Sequence, residues 1–514
     1  MYRILSASKD NYITNKIINN SFRATDANTG QAGTIDIFKL YEEATSGSDT
    51  SPTEVSRGLI KFNLKPLRDL TGSTLDFSAE SFKCTMNLYD VYGGQTTPSN
   101  FKMQIFPLSR SFDEGIGRDV INFEDIDAAN FITASVSGDT PSLWYMSGAN
   151  KSGFLGSPDI DIISSGTLTG SSDTEGINLW VEQTFAKGDE NLSVDITTVI
   201  SGILSNQIPD HGFRISLSGT QETDKKTRFV KRFGSRHSTN IAVRPKIVAV
   251  WDDTIRDNHR SFYFDMTGSL FLNNSVRSTL RHIVSGTAAT PITESNCLLL
   301  TLKTGSFSKQ LSGSVHKIGS NYMTGVYSAT FALSQYNTTV VSGSDRIYDF
   351  VRKSGSIVFE EIWGSADKSI GYYTGSLAVI TSSRSAYVRN TNRLFVNITN
   401  LQDVYKPDEL IRLRVFVEDI DRSIVAKKLP IETKSEIFEK MYYQVRDAET
   451  SDVLVPFETD SNGTCLSYDT DGMFFDFYID SLIKGRTYKF EFLIKDRGID
   501  ELFSDVAATF RVDA

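Results

Sequence analysis

The five histidines of the chain do not have the spacing of a metal site. None lies four residues from another, and the chain has no His-Glu-x-x-His motif. It also lacks a Gly-x-Ser-x-Gly turn, a Walker loop and the glycine pattern of dinucleotide-binding folds. We therefore predict that the protein is not an enzyme and binds no cofactor. The histidines are His211, His237, His259, His282 and His316.

Carboxylates are plentiful, and three segments offer groups of them as candidates for a site, 122–131, 157–166 and 467–477. A glycosidase needs two carboxyl groups facing each other across a sugar, about 5–10 Å apart. The sequence alone does not pair them, so an enzyme is the third of the function classes that we consider. The carboxylates concerned are Glu124, Asp125, Asp127, Asp159, Asp161, Asp469, Asp471 and Asp476.

The tetrapeptide Asp-Thr-Asp-Gly at 469–472 has the spacing of the start of a calcium loop, with Asp469 and Asp471 before a glycine. Such a loop ends on an acidic ligand. The acidic residue near that position, Asp480, falls inside a predicted strand. A tight turn between two strands explains the same residues, and we favour the turn over calcium binding.

Trp144 and Tyr145 are adjacent in a segment rich in glycine and serine. An aromatic side chain exposed on a loop is a candidate contact for a sugar or for another protein. Alternatively, the two rings close the open end of a β-sandwich.

Residues 227–240 form the most basic stretch of the chain. Basic residues interleaved with aromatic ones are typical of nucleic-acid sites, but the net charge of −10 does not provide a general positive field. We therefore expect no nucleic-acid partner, and the family resemblance described below implies that this stretch is an ordinary β-hairpin with the basic side chains on its solvated side. The residues are Arg228, Phe229, Lys231, Arg232, Phe233, Arg236 and His237.

Alternation of apolar and polar residues predicts that strands dominate the fold. In "GFRISLSG", Phe213, Ile215 and Leu217 lie on one face, and Arg214 and Ser216 lie on the other. The same alternation in "FKCTMNLYDVY" groups Phe82, Cys84, Met86 and Leu88.

Helical patterns are few. Residues 195–204 predict one short helix, with Asp195 as its cap and an apolar stripe. Residues 432–445 are predicted to begin as a helix and to end as a strand. The stripe consists of Ile196, Val199, Ile200, Ile203 and Leu204.

Changes in composition near residues 255 and 390 predict three domains, 1–254, 255–388 and 389–514. In the middle domain, 321–334 and 371–382 share an aromatic residue, a Thr-Gly step and an alternating strand. This similarity predicts two similar hairpins. Many short strands with glycine-rich turns favour β-sandwiches over parallel α/β folds, so the predicted fold class is all-β.

The first 254 residues resemble a jelly-roll domain of the DNRLRE type, which occurs in surface and carbohydrate-associated proteins. The resemblance implies a jelly-roll sandwich in which Ser235 and Arg236 hold the turn of the last hairpin. The chain departs from the family at His237, where an acidic residue is common, and in a long insert at 93–180. The segments that carry the resemblance, in order, are 57–67, 82–92, 192–204, 211–219 and 231–251.

The whole chain also resembles virion structural proteins of large tailed phages, particularly marine T4-like ones. This likeness rests on 88–119, 262–274 and 322–334. The segments 409–420 and 484–498 resemble immunoglobulin-like domains, in which a Gly-x-Thr-Tyr step leads into the last strand but one. The resemblances imply a jelly-roll sandwich followed by two smaller, immunoglobulin-like sandwiches.

The expected function is that of a non-enzymatic component of a phage virion, in the tail, neck or a fibre. The expected partners are other virion proteins, with the chain as a symmetric homo-oligomer on the particle. The alternative is a tail adhesin that binds a glycan on the host surface. No apolar run is long enough to span a bilayer and the N-terminus has no signal-peptide core. We therefore expect no membrane insertion. The phage resemblance implies synthesis in the host cytoplasm and location in the virion.

Overall fold

The computed structural model shows an all-β protein, which confirms the fold class predicted from the sequence. Strands account for 50% of the chain and helices for 7%. Two carboxylates named above, Glu124 and Asp125, lie outside the described residues. The structure describes residues 1–44, 51–91, 98–121, 127–169, 176–260, 262–277, 279–286, 288–293, 295–380, 393–420, 435–496, 498–504, 506 and 508–513.

The chain divides into two compact units. The N-terminal unit comprises Arg3–Asp69 and Phe82–Val250. The C-terminal unit comprises Met1–Tyr2, Leu70–Ser81 and Trp251–Ala514. The predicted boundary between residues 388 and 389 lies outside the described residues, and the division into three domains stays a prediction.

The elements of the N-terminal unit are mostly short strands. Its helices are α1 Lys65–Arg68, α2 Thr197–Leu204 and α3 Gly219–Thr223, with a 3-10 helix at Ile241–Val243. Its strands are β1 Tyr2–Thr14, β2 Ile17–Ile18, β3 Phe22–Arg23, β4 Thr34–Tyr41, β5 Thr53–Phe62, β6 Lys83–Leu88, β7 Phe101–Pro107, β8 Thr133–Ser137, β9 Thr140–Leu143, β10 Ser152–Phe154, β11 Ile162–Gly166, β12 Ile177–Asn178, β13 Val181–Phe185, β14 Leu192–Asp195, β15 Phe213–Leu217, β16 Arg228–Gly234 and β17 Lys246–Val250.

Ten of these strands form one sheet in the order β13-β7-β15-β5-β1-β17-β6-β14, with β4 beside β5 and β16 beside β4. Its two end strands are joined by a side chain. Gln183 of β13 donates from Nε2 to the carbonyl of Asn191 (2.7 Å) and accepts from the N–H of Ser193 in β14 (2.7 Å). An amide side chain therefore makes the bonds that an adjacent strand would make, and the sheet nearly closes on itself.

The alternation predicted for β6 is confirmed, because Phe82, Cys84, Met86 and Leu88 are all buried. The predicted helix is confirmed as α2, which begins at Thr197, but its N-cap residue is Ile196 and not Asp195 as predicted. The carboxylate of Asp195 accepts a hydrogen bond from the N–H of Thr197 (2.8 Å). This bond satisfies one of the backbone donors that a helix leaves open at its start.

The prediction for β15 is only half right. Phe213, Ile215 and Leu217 are buried as expected. Arg214 and Ser216 were expected to face solvent, and they are buried as well. The reason is that residues of the long insert cover this second face of the strand, as the hydrogen bonds of Arg214 show below.

The described residues of the C-terminal unit also form mainly strands, with one α-helix, α4 Ile347–Ser354, and 3-10 helices at Asn258–Arg260 and Ile479–Ser481. Its strands are β18 Phe262–Tyr263, β19 Thr267–Asn273, β20 Ser275–Val276, β21 Thr279–Leu280, β22 Val284–Ser285, β23 Thr290–Pro291, β24 Leu298–Thr304, β25 Phe307–Ile318, β26 Asn321–Ala332, β27 Val340–Ser342, β28 Asp345–Arg346, β29 Ser356–Ser365, β30 Gly371–Ile380, β31 Leu394–Ile398, β32 Val404–Tyr405, β33 Leu410–Asp419, β34 Met441–Asp447, β35 Val453–Val455, β36 Ser467–Asp469, β37 Gly472–Tyr478, β38 Thr487–Asp496, β39 Ile499–Phe503 and β40 Thr509–Val512.

Seven strands form a sheet in the order β18-β30-β29-β24-β25-β26-β19. The internal similarity predicted two similar hairpins. Each segment instead forms one strand, and that strand is the second strand of a hairpin, β25–β26 in one case and β29–β30 in the other. The core inside this sheet includes Phe262, Phe331, Phe359 and Trp363, and α4 adds Ile347.

Residues 394–512 contain a four-stranded sheet, β31-β33-β37-β36, and a six-stranded sheet built on β32-β40-β38-β34-β35 with β39 beside β38. The two sheets pack through aromatic rings. Tyr443 of β34 stacks on Phe475 of β37, with ring centroids 4.3 Å apart, and Phe475 meets Phe490 of β38 edge-on at 5.4 Å. A helical start was predicted for 432–445. It is wrong for 435–440, where the structure has no helix, whereas the strand that was expected to follow is β34.

The Gly-x-Thr-Tyr step leads into a strand as expected, but this strand, β38, is the third from the end and not the last but one. The hydroxyl of Tyr488 donates to the carbonyl of Ile483 (2.7 Å) and accepts from its N–H (3.0 Å). Burial raises the pKa of Tyr488 to about 12, so the hydroxyl stays protonated. A tyrosine bonded to the backbone a few residues upstream is typical of immunoglobulin-like sandwiches.

Replacing Tyr488 with phenylalanine is expected to lower the free energy of unfolding by about 1–3 kcal/mol, because two partly buried backbone groups of Ile483 lose their partner. Urea unfolding followed by tryptophan fluorescence and circular dichroism measures the change. Tyr336→Phe is the matched control, since Tyr336 is largely exposed. A loss no larger than that of the control would show that the Tyr488 bonds contribute nothing net.

Candidate interaction surface

The segment 144–151 of the long insert is organised around one buried carboxylate. Asp161 is fully buried. Its Oδ1 accepts the N–H of Tyr145 (2.8 Å), and its Oδ2 accepts the N–H groups of Met146 (2.9 Å) and Lys151 (3.0 Å). Charge-assisted bonds of this kind are stronger than neutral ones. Asp161, which the sequence offered as a possible catalytic carboxylate, therefore fixes the shape of this segment.

Trp144 anchors the segment to the core. Its ring is 5% exposed, and its Nε1 donates to the carbonyl of Asn130 (3.0 Å). It packs in a core cluster with Leu59, Phe106 and Ile162. Trp144 therefore has no exposed ring surface that a ligand could contact. Of the two interpretations from the sequence, its burial agrees with a ring that packs into the sandwich.

Two buried arginines, Arg57 and Arg214, form hydrogen bonds with the segment 144–151. Arg57 donates to the carbonyl of Gly148 (2.7 Å) and pairs with both carboxylate oxygens of Glu222 (3.0 and 2.7 Å). Arg214 donates to the side chain of Asn150 (2.9 Å) and to Ser216 Oγ (2.8 Å). Burial, with the nearby Arg57 charge, lowers the pKa of Arg214 to about 9.

Gly148 makes this close approach possible. Its φ is +78°, and a Cβ at this position would lie 2.3 Å from a guanidinium nitrogen of Arg57 and 2.6 Å from the ring of Phe131. Only glycine fits such a site without displacing its neighbours.

Four large apolar side chains of this region are exposed. We call them the insert surface. They lie on the β8–β9 hairpin and the residues on either side of it, and each is 41–52% exposed. Exposed large apolar residues that lie close together mark interaction sites more often than isolated ones do. The insert surface consists of Ile132, Leu143, Tyr145 and Met146.

Two cations lie over the ring of Tyr145. The guanidinium carbon of Arg110 is 4.5 Å from the ring centroid, and the Lys151 ammonium is 5.6 Å from it. Arg110 is itself held, because it donates to Ser142 Oγ (3.0 Å) and to the carbonyl of Leu143. The structure therefore places Tyr145 at the surface as the sequence analysis proposed, but with at least one ring face covered.

The basic stretch 227–240 is a strand, β16, and the turn after it. Its bidentate pairs are Arg228 with Asp224 and Arg232 with Asp36. Arg236 likewise pairs with Glu114.

The expectation that all the basic side chains of this stretch are solvated is wrong for Lys231. It is fully buried and bonds Asp90 and the carbonyls of Gly188 and Glu190 (both 2.8 Å). Phe229, in contrast, is exposed while Phe233 is buried. A bulge between Arg228 and Lys231 changes which side chains point inward.

A second cluster joins β1, the loop after β7 and the end of β16. Ligand atoms of Asp10, Glu114 and His237 lie within 4.8 Å of one another, as in a metal site. Both oxygens of Glu114 already bond the guanidinium of Arg236, and Asp10 accepts the backbone N–H of Arg236 (2.5 Å). An arginine thus supplies the positive charge that a metal ion would bring.

The two calcium candidates form a hairpin turn between β36 and β37. Asp469 accepts the N–H of Asp471 (2.9 Å) and a guanidinium N–H of Arg414 (2.5 Å). Asp471 is largely exposed, 3.9 Å from the same guanidinium. Asp480 lies in a 3-10 helix, so its placement in a strand was wrong. These contacts support the turn interpretation.

One histidine is enclosed by two carboxylates. The Nδ1 of His259 bonds Asp257, and its Nε2 lies 2.9 and 2.8 Å from the two oxygens of Glu361. Trp363 Nε1 also donates to Glu361 (2.5 Å). His259 borders an open groove of about 1240 Å³. Because both of its ring nitrogens are engaged, it has no free nitrogen to act as a general base on a molecule in that groove.

The sequence analysis missed Arg57, Arg110 and Lys151 as parts of this site. Arg57 had a usable signal, since it directly precedes the apolar run 58–60 of β5. A charged residue at such a position is buried only when it is paired. Arg110 and Lys151 gave no signal, because single basic residues in loops are usually solvated.

No helix in the described part of the chain is long and apolar enough to cross a membrane. No family model matches the chain, and no curated protein sequence matches it.

Comparison with solved structures gives matches of low similarity. A titin structure is 7% identical with a TM-score of 0.14, covering 51% of this chain and 96% of that one. The BSP domain of a biofilm-associated protein is 7% identical with a TM-score of 0.15, covering 99% and 96%. Trypsin-activated alpha-2-macroglobulin from Escherichia coli is 9% identical with a TM-score of 0.15, covering 98% and 30%. Scores this low assign neither a fold nor a function.

Proposed function

We propose that the chain is a non-enzymatic structural component of a tailed-phage virion that acts by docking to other virion proteins. The phage assignment, with a tail, neck or fibre position and a jelly-roll and immunoglobulin-like architecture, rests on the sequence resemblance. The observation that carries the docking role is the insert surface, in which exposed apolar side chains stand on a backbone held by Asp161 and Arg57.

A rigid apolar surface suits protein docking for a physical reason. Association costs side-chain and loop entropy, and a segment already fixed by buried ion pairs loses less of it on binding. Tyrosine, methionine and arginine are also enriched at protein interfaces. On a particle with repeated copies, symmetry multiplies weak contacts into stable attachment.

The charge distribution supports protein partners over nucleic acid. The arginines and the lysine of β16 are bonded to carboxylates within the N-terminal unit. Phosphate binding would have to break these pairs and leave the carboxylates unpaired, which opposes a non-specific nucleic-acid site.

The second candidate is a tail adhesin that binds a host glycan, and the exposure of Tyr145 is the observation that favours it. A sugar ring stacks on an open aromatic face. Arg110 lies over the ring of Tyr145 at 4.5 Å, which leaves less of the ring free for stacking. We therefore place protein docking first.

Gold-labelled antibody against the chain, applied to intact phage particles and followed by cryo-electron microscopy, tests the proposal. Labelling of a structure packed between other proteins at the neck or along the tail supports docking. Labelling confined to free distal tips favours the glycan adhesin. No labelling on particles would reject both, and hydrolase assays on candidate glycans would then come first.

The double variant Leu143→Ser, Met146→Ser is expected to reduce incorporation into particles by roughly tenfold or more, because both changes remove apolar area from a docking surface. Its melting temperature should stay within a few degrees of the parent, since both side chains are exposed. Quantitative immunoblots of purified particles give the incorporation. Tyr336→Ser, an exposed residue of the C-terminal unit, is the control. Unchanged incorporation of the double variant would rule out the insert surface as the docking site.

A further inference from the structure

The seven-stranded sheet of the C-terminal unit has one long open edge. Strand β30 pairs along its length with β29. On its other side, β18 covers only Val379 and Ile380. The remaining residues, 371–378, have no backbone partner on that side among the described residues. Eight residues of strand expose about 26 Å of edge.

This edge is regular and firmly held. From Tyr373 opposite Trp363 to Ala378 opposite Val358, the register with β29 is unbroken. Leu377 is fully buried in the core of the sheet. The strand is therefore fixed from its inner face, while residues such as Tyr373 and Thr374 are exposed.

The edge lacks the usual protection against pairing. Soluble proteins discourage edge pairing with lysine, proline, inward-pointing charges or very short edge strands. The sequence of β30, "GYYTGSLAVI", is ten residues long and contains no charge and no proline. The edge strand β39, by contrast, carries Asp500 and Glu501 within five residues. The opposite edge of the same sheet, β19, is partly covered, because Asn258 accepts the N–H of Ser269 (2.9 Å).

We propose that β30 is a self-association site, where it pairs antiparallel with β30 of a second copy of this chain and joins two sheets into one. Antiparallel pairing of identical strands is a two-fold contact, in which residues at the axis meet their own kind and each residue farther out meets the residue at the same distance on the other side of the axis. A charge beside the axis would therefore lie close to the like charge of the second copy, which destabilises the pair. Thr374 lies beside the axis when the pairing is centred on the open residues 371–378. An uncharged strand of small polar and aromatic residues is the kind that tolerates pairing with itself.

Charges on the next strand do not oppose this arrangement. Glu360 of β29 is exposed and lies opposite Ser376 of β30. In the paired sheet, three strand spacings separate it from Glu360 of the second copy, which is about 14 Å or more. That distance exceeds the Debye length of about 8 Å at physiological salt, so their repulsion is largely screened.

Sedimentation velocity of the full chain, across roughly a hundredfold range of protein concentration, tests the inference. The parent chain should shift from monomer to dimer. Thr374→Lys should raise the dimer dissociation constant by about tenfold or more, because two lysines would meet across the two-fold axis. Ser312→Lys is the matched control. It adds the same charge at an exposed position of the same sheet, but on the interior strand β25.

Hydrogen exchange identifies the interface directly. Amides of 371–378 should exchange more slowly in the dimer than in the Thr374→Lys monomer, with circular dichroism showing equal folding. A parent chain that stays monomeric, a Thr374→Lys chain that still dimerises, or equal weakening by Ser312→Lys would each overturn the proposal. The inference does not depend on the phage role, since a dimer in solution and a label on a particle are measured separately.

Discussion

Replacing His259 with glutamine is expected to destabilise the C-terminal unit by about 3–5 kcal/mol near neutral pH, because it breaks a buried ionic network by removing one partner. Burial of the ring disfavours its charged form, but hydrogen bonds to Asp257 and Glu361 outweigh burial and raise the pKa of His259 to about 10. Without the imidazolium, two buried carboxylates face each other with no positive charge between them.

The effect of this change has a defined pH dependence. His259 binds its proton more tightly in the folded chain than in the unfolded chain, where the pKa is near 6.5. Its contribution is therefore complete below pH 6.5 and is lost as the pH rises to about 10. One pKa unit corresponds to about 1.4 kcal/mol, which sets an upper bound of about 5 kcal/mol.

Urea unfolding of the parent and His259→Gln at pH 6, 7, 8 and 9 measures the difference. The gap should be widest at pH 6 and should narrow steadily towards pH 9. His316→Gln is the matched control, because His316 bonds only a hydroxyl, Ser328 Oγ (3.2 Å), and burial lowers its pKa. A gap that does not change with pH would mean that His259 is neutral between its two carboxylates.

Local sequence patterns were sufficient to predict those strands and helices whose buried side is set by the apolar residues of the element itself. The alternation in β6 correctly predicted four buried side chains, and the apolar stripe at 195–204 predicted α2. The similarity of 321–334 and 371–382 correctly indicated an alternating strand in each segment, and these strands are β26 and β30. In each case the residues that form the element also carry the signal.

The same patterns failed where a distant segment decides the environment. Arg214 looked solvent-facing because it alternates with Phe213 and Ile215, yet a segment 64 residues away covers it. The ammonium of Lys231 bonds the carboxylate of Asp90, which is 141 residues away in the sequence. A side chain is buried with its charge only when such a partner exists, and the spacing within one strand contains no information about that partner.

The candidate site shows the same division. The sequence drew attention to Trp144 and Tyr145 because two aromatic residues in a polar loop are unusual. The sequence did not show that Trp144 is buried and Tyr145 exposed. Adjacent side chains point in different directions, and only the fold determines which of the two packs into the core. Asp161 binds three backbone N–H groups, and its neighbours in sequence do not distinguish this role from that of a catalytic acid.

Replacing Asp10 with asparagine is expected to stabilise the N-terminal unit by about 2–4 kcal/mol at pH 8. Burial raises the pKa of Asp10 to about 7, a bond from the Arg236 N–H partly opposes this, and the nearby Glu114 charge adds to it. The ordinary value is near 3.8. Below pH 3.8 the carboxyl is protonated in both states. Between pH 3.8 and 7 only the unfolded chain releases the proton, so stability falls as the pH rises through this window.

Asparagine removes the cost of ionising a buried group while its carbonyl can still accept the Arg236 N–H, which the parent Asp10 accepts at 2.5 Å. The stabilisation should therefore be near zero at pH 4 and grow to its full value above pH 7. Chemical unfolding of both proteins from pH 4 to 8 provides the comparison, with Asp189→Asn as the control at an exposed carboxylate. Destabilisation of the Asp10→Asn variant at pH 8 would contradict this prediction. It would show that Asp10, Glu114 and Arg236 form an ionic network in which the charge of Asp10 is needed.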